Sequence, residues 1–196
     1  MRKLIAEDKV AAVIGPLSSA ECETGMPVAK QLECPSIGPT SAKPGLLKGL
    51  QPWCFRNTMT DDKMFAGSLP AFRRLYPEIK KFALVVDVKE ALAKSFGETV
   101  MPPGLKAAGY TVVNEKDPIT IEVGQQDMSA AVTRLKFLNV DAVAIGASYP
   151  EASTFAMEMK RQGAKIPGLG GIANFAQPLI TMGGDAVEGW VFCATG

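Results

Sequence analysis

Short apolar runs alternate with segments of helical periodicity along almost the whole 196-residue chain. Seven runs are apolar on both faces, as buried parallel strands are: residues 10–15, 35–38, 82–88, 110–114, 140–146, 166–169 and 190–193. Five intervening segments return an apolar residue every three or four positions: residues 21–33, 64–75, 93–108, 128–138 and 150–162. This alternation predicts an α/β fold in which crossover helices connect parallel strands.

Capping residues and a change in composition divide the chain further. Asp127 stands just before the fourth helical segment as an N-cap, and Gly109 and Gly163 follow two helices at C-terminal capping positions. Residues 39–52, rich in Gly, Pro and Lys, separate an opening unit from a longer series of strands and helices. We therefore predict a partial first lobe over residues 1–60 and a fuller second lobe over residues 61–192.

The absence of histidine excludes several classes of function. It removes the usual base of Ser-His-Asp and Cys-His nucleophiles and every His-containing metal site. The four cysteines, at positions 22, 34, 54 and 193, form no CxxC pair. A net charge of +1 with scattered basic residues disfavours nucleic acid, and no apolar run reaches the ~20 residues of a membrane span. These features disfavour hydrolases that use a histidine base, metal sites, nucleic-acid binding and insertion into a membrane.

Hydroxyl-bearing loops follow the first two predicted strands. Residues 15–21, Gly-Pro-Leu-Ser-Ser-Ala-Glu, leave the first strand and open a helix, and residues 38–44, which include Thr40 and Ser41, leave the second. Because the carboxyl ends of parallel strands share one edge of a sheet, these hydroxyls and the helix N-terminus would converge on a carboxylate or phosphate. A plain serine N-cap and an ordinary turn are the alternatives.

A glycine pattern near the end of the chain supports a second class, a nicotinamide or flavin enzyme. Residues 168–173, Gly-Leu-Gly-Gly-Ile-Ala, fit the dinucleotide pattern GxGxxG/A, with Gly168 and Gly170 at its first positions. The pattern follows the fourth strand of its lobe rather than the first, and no acidic residue ends a following strand about 20 positions on. A sterically open, glycine-lined pocket wall is the alternative that we favour.

Other candidate side chains follow strands of the second lobe. Phe96 and Tyr149 could face a cleft or pack as core aromatics, and both interpretations stay open. The acids Asp87, Glu90, Glu98 and Glu151 have no spacing that pairs two of them, so we interpret them as surface carboxylates.

Taken together, the motifs resemble the type I periplasmic substrate-binding proteins of ABC importers, in their leucine/isoleucine/valine-binding branch. The resemblance rests on the order and spacing of residues 11–19, 35–41, 55–57, 95–98, 126–130, 135–137 and 140–143. It implies two Rossmann-like lobes with parallel sheets that close on a ligand between them. The chain resembles part of this fold, with an incomplete first lobe and with residues 193–196 at the start of the return crossover.

The resemblance also implies a ligand site of eight residues: Ser18, Ser19, Ser41, Ala42, Phe96, Ser148, Tyr149 and Gly170. Ser19 resembles the serine that holds a ligand carboxylate, with Ser18 beside it, and the loop at Ser41 and Ala42 adds backbone N–H groups. Gly170 falls where amino-acid-binding members place a glutamate for the ligand's ammonium group. This departure favours a carboxylate without an amine, unless another acid such as Asp185 substitutes.

Cellular context follows from the same resemblance. It implies a non-enzymatic periplasmic protein without a cofactor. Such a protein delivers a branched-chain amino acid or a related small, possibly aromatic, carboxylate to a membrane permease. A ligand-sensing receptor domain of the same fold is the third interpretation. In an oxidising compartment two cysteines could pair, and we predict Cys34 with Cys54.

Overall fold

The computed structural model describes residues 1–194, which group into two compact units, Met1–Thr60 and a second unit from Asp61 onward. The first unit contains five elements: α1 (Arg2–Ala6), β1 (Val13–Ile14), α2 (Ser19–Gln31), β2 (Ser36–Gly38) and β3 (Cys54–Arg56). Its strands form a parallel sheet in the order β1-β2-β3. A buried cluster packs α2 against one face of this sheet through Cys22, Met26, Ala29 and Cys54.

The second unit repeats strand and helix along the rest of the described chain. Its elements are α3 (Asp61–Leu75), β4 (Lys81–Asp87), α4 (Ala91–Ser95), α5 (Met101–Ala107), β5 (Thr111–Val112), β6 (Ile119–Ile121), α6 (Ser129–Phe137), β7 (Ala142–Gly146), α7 (Tyr149–Arg161), β8 (Gly168–Gly170), α8 (Gln177–Gly183) and β9 (Val191–Phe192). A π-helical turn at Phe96–Val100 joins α4 to α5, and 3-10 turns span Ile172–Asn174 and Gly184–Val187. The predicted α/β class with parallel strands is confirmed.

The second sheet has the order β5-β4-β7-β8-β9, and β6 pairs with β4 beyond the end of β5. Asn114 fills the gap between β5 and β6. Its side-chain oxygen accepts the Leu84 N–H at 2.7 Å, and its amide nitrogen donates to the Leu84 C=O at 2.9 Å. The side chain therefore continues the hydrogen-bond ladder along the edge of β4 where the neighbouring backbone departs.

Apolar layers cover both faces of this sheet, as the apolar character of its strands predicts. On one face, Val85, Ile145, Val132 and Phe155 belong to a single buried cluster with α6 and α7. On the other face, aromatic rings of α3, β4 and the segment before β5 pack together. The ring centroids of Phe72 and Phe82 lie 5.3 Å apart, and those of Phe82 and Tyr110 lie 5.0 Å apart.

Several local predictions were right and others were wrong. Gly109 and Gly163 have φ values of +84° and +74°, as glycines at C-terminal caps require. The N-cap of α6 is Met128 rather than Asp127, whose carboxylate instead accepts the Ser129 N–H at 2.9 Å. The helix expected over residues 93–108 is interrupted by the π-helical turn, because prolines at positions 102 and 103 supply no N–H donor to the preceding turn.

Candidate functional site

The loops that follow β1 and β2 meet within the first unit. The hydroxyl of Thr40 donates to the Leu17 C=O at 2.9 Å, and the Lys43 N–H donates to the Ser19 hydroxyl oxygen at 3.4 Å. The structure thus brings Ser19 and the Ser41-Ala42 segment to one edge of the first sheet, at the carboxyl ends of its strands. Hydroxyl and backbone N–H donors at such an edge can converge on an anion.

Ser18 forms a capping box at the start of α2. Its hydroxyl oxygen accepts the Glu21 N–H at 3.2 Å, and its own N–H donates to the Glu21 carboxylate at 2.9 Å. The bond from the Ser18 N–H lowers the pKa of Glu21, because it stabilises the charged carboxylate. The backbone N–H of Ser18 is therefore already committed to a side chain of its own helix.

Ser19 is buried at the first position of α2. The N–H groups of Ser19 and Ala20 lie in the first turn, where the helix provides no backbone acceptor for them. The next two N–H groups, of Glu21 and Cys22, donate to the hydroxyl and the C=O of Ser18. The Ser19 hydroxyl accepts from Lys43, so its own proton is still available for donation. This helix end thus offers backbone donors and one hydroxyl donor side by side.

Ser41 and Ala42 are both buried, as the bends of the second loop fold back on β2. The Ser41 hydroxyl lies so close to Gly38 that a Cβ on this glycine would stand 2.6 Å from it. Within residues 1–194 this hydroxyl has no hydrogen-bond partner. An unpaired buried hydroxyl is costly, so a ligand oxygen that reached it would remove a penalty.

Two cations beside the first-unit loops were missed at the sequence level. Arg56 ends β3, is half-buried and donates to the Lys43 C=O at 3.1 Å. Lys43 itself forms an ion pair with Glu23. Arg56 could have been predicted from its position in the sequence. It ends a third parallel strand and therefore lies at the same edge of the sheet as the two loops.

Phe96 is a core aromatic of the second unit. It is buried at the start of the π-helical turn, and its ring meets that of Phe65 edge to face at a centroid distance of 5.3 Å. A Cβ on Gly171 would stand 2.7 Å from the same ring. Both neighbours belong to the second unit, so the packing of this ring favours the core interpretation.

Ser148 and Tyr149 follow β7 at the start of α7. Ser148 is the N-cap residue, but its hydroxyl makes no capping bond to any described residue. Tyr149 is half-buried and packs against the core cluster under α6 and α7. Both residues therefore lie at the carboxyl edge of the second sheet, where Gly170 ends β8.

The expectation of an open, glycine-lined wall was wrong. A Cβ on Gly168 would meet the Trp190 ring at 2.2 Å, and one on Gly170 would meet the Asn174 side-chain oxygen at 2.2 Å. These glycines are tightly packed because neighbouring side chains occupy the space that a Cβ would need. The geometry also does not fit a dinucleotide motif, whose glycines follow a strand and open a helix. Here Gly168–Gly170 is strand β8 itself, and a 3-10 turn separates it from α8, which begins at Gln177.

Asn174 is a buried residue that the sequence analysis missed. Its side-chain oxygen accepts the Gly171 N–H at 3.1 Å, and its side-chain nitrogen donates to the Ala147 C=O at 2.8 Å. It therefore ties the end of β8 to the segment that leads into α7. Because Gly170 has no side chain, the Asn174 side chain can lie directly against the strand.

Two of the four acids interpreted as surface carboxylates are buried. Asp87 accepts the N–H groups of Lys89 and Glu90 at 2.8 and 3.1 Å, and Glu151 accepts the Gly124 N–H at 2.9 Å. Each carboxylate caps the backbone of a loop, which explains its burial. Asp185 is exposed and pairs with Lys160 at 2.5 Å, which lowers its pKa.

All four cysteines lie in the described part of the chain, and each is a buried free thiol. The predicted pairing of Cys34 with Cys54 is therefore absent: the Cys54 thiol donates to the Met26 C=O at 3.3 Å, and the Cys34 thiol faces the Val10 C=O at 3.8 Å. Burial raises the pKa of Cys193 to about 12. Over residues 1–194, no three His, Cys, Asp or Glu side chains are grouped to hold a metal ion.

Helix length and polarity bear on the membrane question. No helix among the described residues is both long and apolar enough to cross a membrane.

Comparisons with known proteins agree with the resemblance seen in the sequence. A leucine-binding protein, LivK, from Thermotoga maritima has a similar structure, with a TM-score of 0.83 and 27% identity over 97% of this chain and 52% of that one. The Leu/Ile/Val/Thr-binding protein of Salmonella typhimurium is 27% identical over 188 residues, which are 94% of this chain and 49% of the relative. The chain thus spans about half the length of these relatives.

A solute-binding protein of R. palustris in complex with 4-hydroxybenzoate shares the fold, at 19% identity and a TM-score of 0.74 over 94% of this chain and 49% of that one. The sequence model of the family described as periplasmic binding protein matches residues 1–196. A match along the whole length is what the order of strands, helices and motifs predicts. The chain belongs to the periplasmic binding protein family.

Proposed function

We propose that this chain is the extracytoplasmic solute-binding component of an ABC importer, and that it holds a small carboxylate for delivery to a membrane permease. Family membership and the relatives that bind branched-chain amino acids support the role. The observation that carries the ligand class is the convergence of Ser19, Ser41 and Lys43 at the N-terminus of α2. Such a site suits an anion with two oxygens.

The first unit would hold the carboxylate through backbone N–H groups, two hydroxyls and a nearby positive charge. The N–H groups of Ser19 and Ala20 donate from the first turn of α2, and the Ser19 hydroxyl adds a charge-assisted bond. The Ser41 hydroxyl, unpartnered among the described residues, supplies a further donor once the ligand contacts it. Arg56 adds positive charge beside the Lys43 backbone, to which it donates a hydrogen bond. Ser18 contributes by fixing the loop through its capping box.

The second unit bears on whether the ligand carries an amine. Gly170 offers no carboxylate, and the Asn174 side chain fills the space beside it. Asp185 is already neutralised by Lys160 and is exposed. A buried ammonium without an anionic partner costs several kcal/mol, so we propose an amine-free aliphatic or aromatic acid ahead of a branched-chain amino acid. Phe96, Ser148 and Tyr149 stay predictions as ligand-contacting residues of this unit.

A thermal-shift panel tests the proposal. A ligand that binds only the native state raises the melting temperature, so the chain is screened with leucine, isoleucine, valine, phenylalanine, benzoate-type acids, short aliphatic acids and NAD. We expect shifts with amine-free acids. A shift with amino acids alone would overturn the argument from Gly170 but keep the binding role, whereas a shift with NAD alone, or none with any carboxylate, would overturn the role itself.

A further inference from the structure

A groove lies between helices α3 and α5 of the second unit. Gly104 lets the two helices approach closely, since a Cβ there would stand 2.8 Å from the Phe65 ring. Beside this contact the helices enclose a space of about 480 Å³. A concave, largely apolar space of this size is typical of sites for small molecules. Its apolar lining consists of Ala66, Leu69, Pro70, Gly104, Ala107 and Ala108.

Two arginines complete the lining of the groove, and both have donors to spare. Arg73 donates a hydrogen bond to the Ala108 C=O, and its guanidinium carbon lies 5.3 Å from the centroid of the Tyr110 ring. Arg74 is exposed and forms no hydrogen bond or ion pair within residues 1–194. Each guanidinium has five N–H donors, so most of them remain available. Among the described residues that line the groove there is no carboxylate to neutralise this charge.

The groove lies at the amino edge of the second sheet, opposite to the edge at which Ser148, Tyr149 and Gly170 lie. Helix α3 leads into β4 and α5 leads into β5, and Lys81 pairs with Thr111 where these parallel strands begin. The two arginines are in the last turn of α3, so they lie beside these strand starts. The groove is therefore separate from the carboxyl edge of its own sheet.

The lining determines which chemistry suits an occupant. Small aliphatic residues suit an apolar tail, and two guanidinium groups suit an anionic head, because arginine binds carboxylates through parallel hydrogen bonds. Residues 66–74 span about 12 Å along the helix, the length of an extended tail of roughly eight to ten carbons. A second copy of the chain suits the groove less well, since a two-fold contact there would bring the arginines of both copies together.

We propose that the groove between α3 and α5 binds a medium-chain aliphatic carboxylate. The tail lies against Ala66, Leu69 and Ala107, and the carboxylate accepts hydrogen bonds from Arg73 and Arg74. This site is additional to the carboxylate anchor proposed at the N-terminus of α2, and it does not depend on that anchor.

Calorimetry with hexanoate, octanoate and decanoate at pH 7.5 tests the proposal. Each added pair of carbons is expected to tighten binding about three- to tenfold, because each buried CH2 group stabilises the complex. Decyltrimethylammonium, which has a tail of the same length as decanol and a cationic head, is expected not to bind. In nuclear magnetic resonance spectra, decanoate is expected to shift the amide signals of residues 104–108.

Two variants change the groove at exposed positions. Arg74→Glu reverses the charge of the head site, and Ala107→Trp fills the tail site. Each is expected to weaken decanoate binding about tenfold or more. Lys94→Glu is the matched control, because it makes the same change of charge at an exposed lysine of α4, which follows the carboxyl end of β4. Circular dichroism checks that each variant folds, and Arg74→Glu replaces a side chain without described contacts.

Every other outcome would overturn the proposal. No binding of decanoate at millimolar concentration, affinity independent of chain length, or equal binding by Arg74→Glu and wild type would each do so. Weaker decanoate binding by Ser19→Ala would assign the acid to the first-unit anchor instead, whereas loss of the anchor alone would leave decanoate binding unchanged. Binding to phosphatidylglycerol vesicles without binding of free decanoate would assign the groove to a lipid surface.

Discussion

The Lys43 N–H donates to the Ser19 hydroxyl oxygen across 3.4 Å and joins the loop after β1 to the loop after β2. This bond fixes the hydroxyl at the first turn of α2 with its proton free to donate. Because Ser19 is buried and helix N–H groups lie beside it, a carboxylate bound there would be held largely out of water. Hydrogen bonds to charged groups are worth more in such surroundings.

Ser19→Ala is therefore expected to weaken binding of the carboxylate found in the screen by about 1–3 kcal/mol. Isothermal titration calorimetry measures the change. Ser68→Ala is the matched control, because the Ser68 hydroxyl donates within α3 to the Phe65 C=O at 2.8 Å. An affinity unchanged by Ser19→Ala would remove Ser19 from the site.

Gly170→Ala is expected to destabilise the protein by about 1–3 kcal/mol, since the new methyl group would overlap the side chain of Asn174, which two hydrogen bonds hold in place. Gly67→Ala is the control: it lies inside α3 with nothing within 4 Å of its added Cβ. This exchange is expected to stabilise the protein by about 0.5–1 kcal/mol. Urea unfolding measures both. Equal stability of Gly170→Ala and wild type would contradict the close packing at β8.

The cysteines are expected to react only after unfolding. Burial of all four keeps reagents away from the thiols. Burial also raises the pKa of Cys54 and Cys193, and a thiolate is the reactive form. Titration with a thiol reagent is expected to find four thiols in the denatured, unreduced protein and a much slower reaction in the native one. Two thiols after denaturation would show a disulfide that the structure does not contain.

Acid is expected to reduce stability partly through Asp141. Its carboxylate accepts the Lys80 and Lys81 N–H groups at 3.0 and 2.8 Å, and these bonds lower its pKa. As the pH falls, the carboxyl of the unfolded chain is therefore protonated before that of the native chain. The contribution of Asp141 to the free energy of unfolding is complete above the ordinary pKa of about 4, and it disappears as the pH falls through the lower native pKa. Asp141→Asn is expected to cost about 1 kcal/mol at pH 7, because solvent screens this exposed group, and clearly less at pH 2, where the unfolded chain is protonated. An equal cost at both pH values in urea unfolding would contradict this assignment.

Periodicity predicted the parts of the fold in which local pattern and tertiary packing agree. The strand at β4 and the crossover helix α7 are long, apolar in the expected rhythm and close to their predicted bounds. Periodicity did not predict the short strands Cys54–Arg56 and Ile119–Ile121. Each has three residues and forms a strand only through pairing, with β2 and β4 respectively. Glu151 was misassigned because burial of its carboxylate depends on a distant backbone donor, the Gly124 N–H, that spacing does not reveal. Asp87 ends β4 and accepts the N–H groups of its near neighbours Lys89 and Glu90, a local turn that the sequence analysis missed.

The same limit applies to the candidate site. The two serine loops could be predicted to meet, because parallel strands end at a common edge. The sequence could not predict that the Asn174 side chain fills the space beside Gly170. A glycine is equally consistent with an open wall and with a tightly packed one.

Calorimetry on matched ligand pairs tests the central claim most directly. Each acid that shifts the melting temperature is compared with its uncharged amide, for example 4-hydroxybenzoate with 4-hydroxybenzamide, on the wild-type chain. Because the proposed anchor consists of hydrogen-bond donors arranged for an anion, we predict that the acid binds and that the amide binds at least tenfold more weakly. Equal affinities for acid and amide would contradict the carboxylate anchor at Ser19 and Ser41.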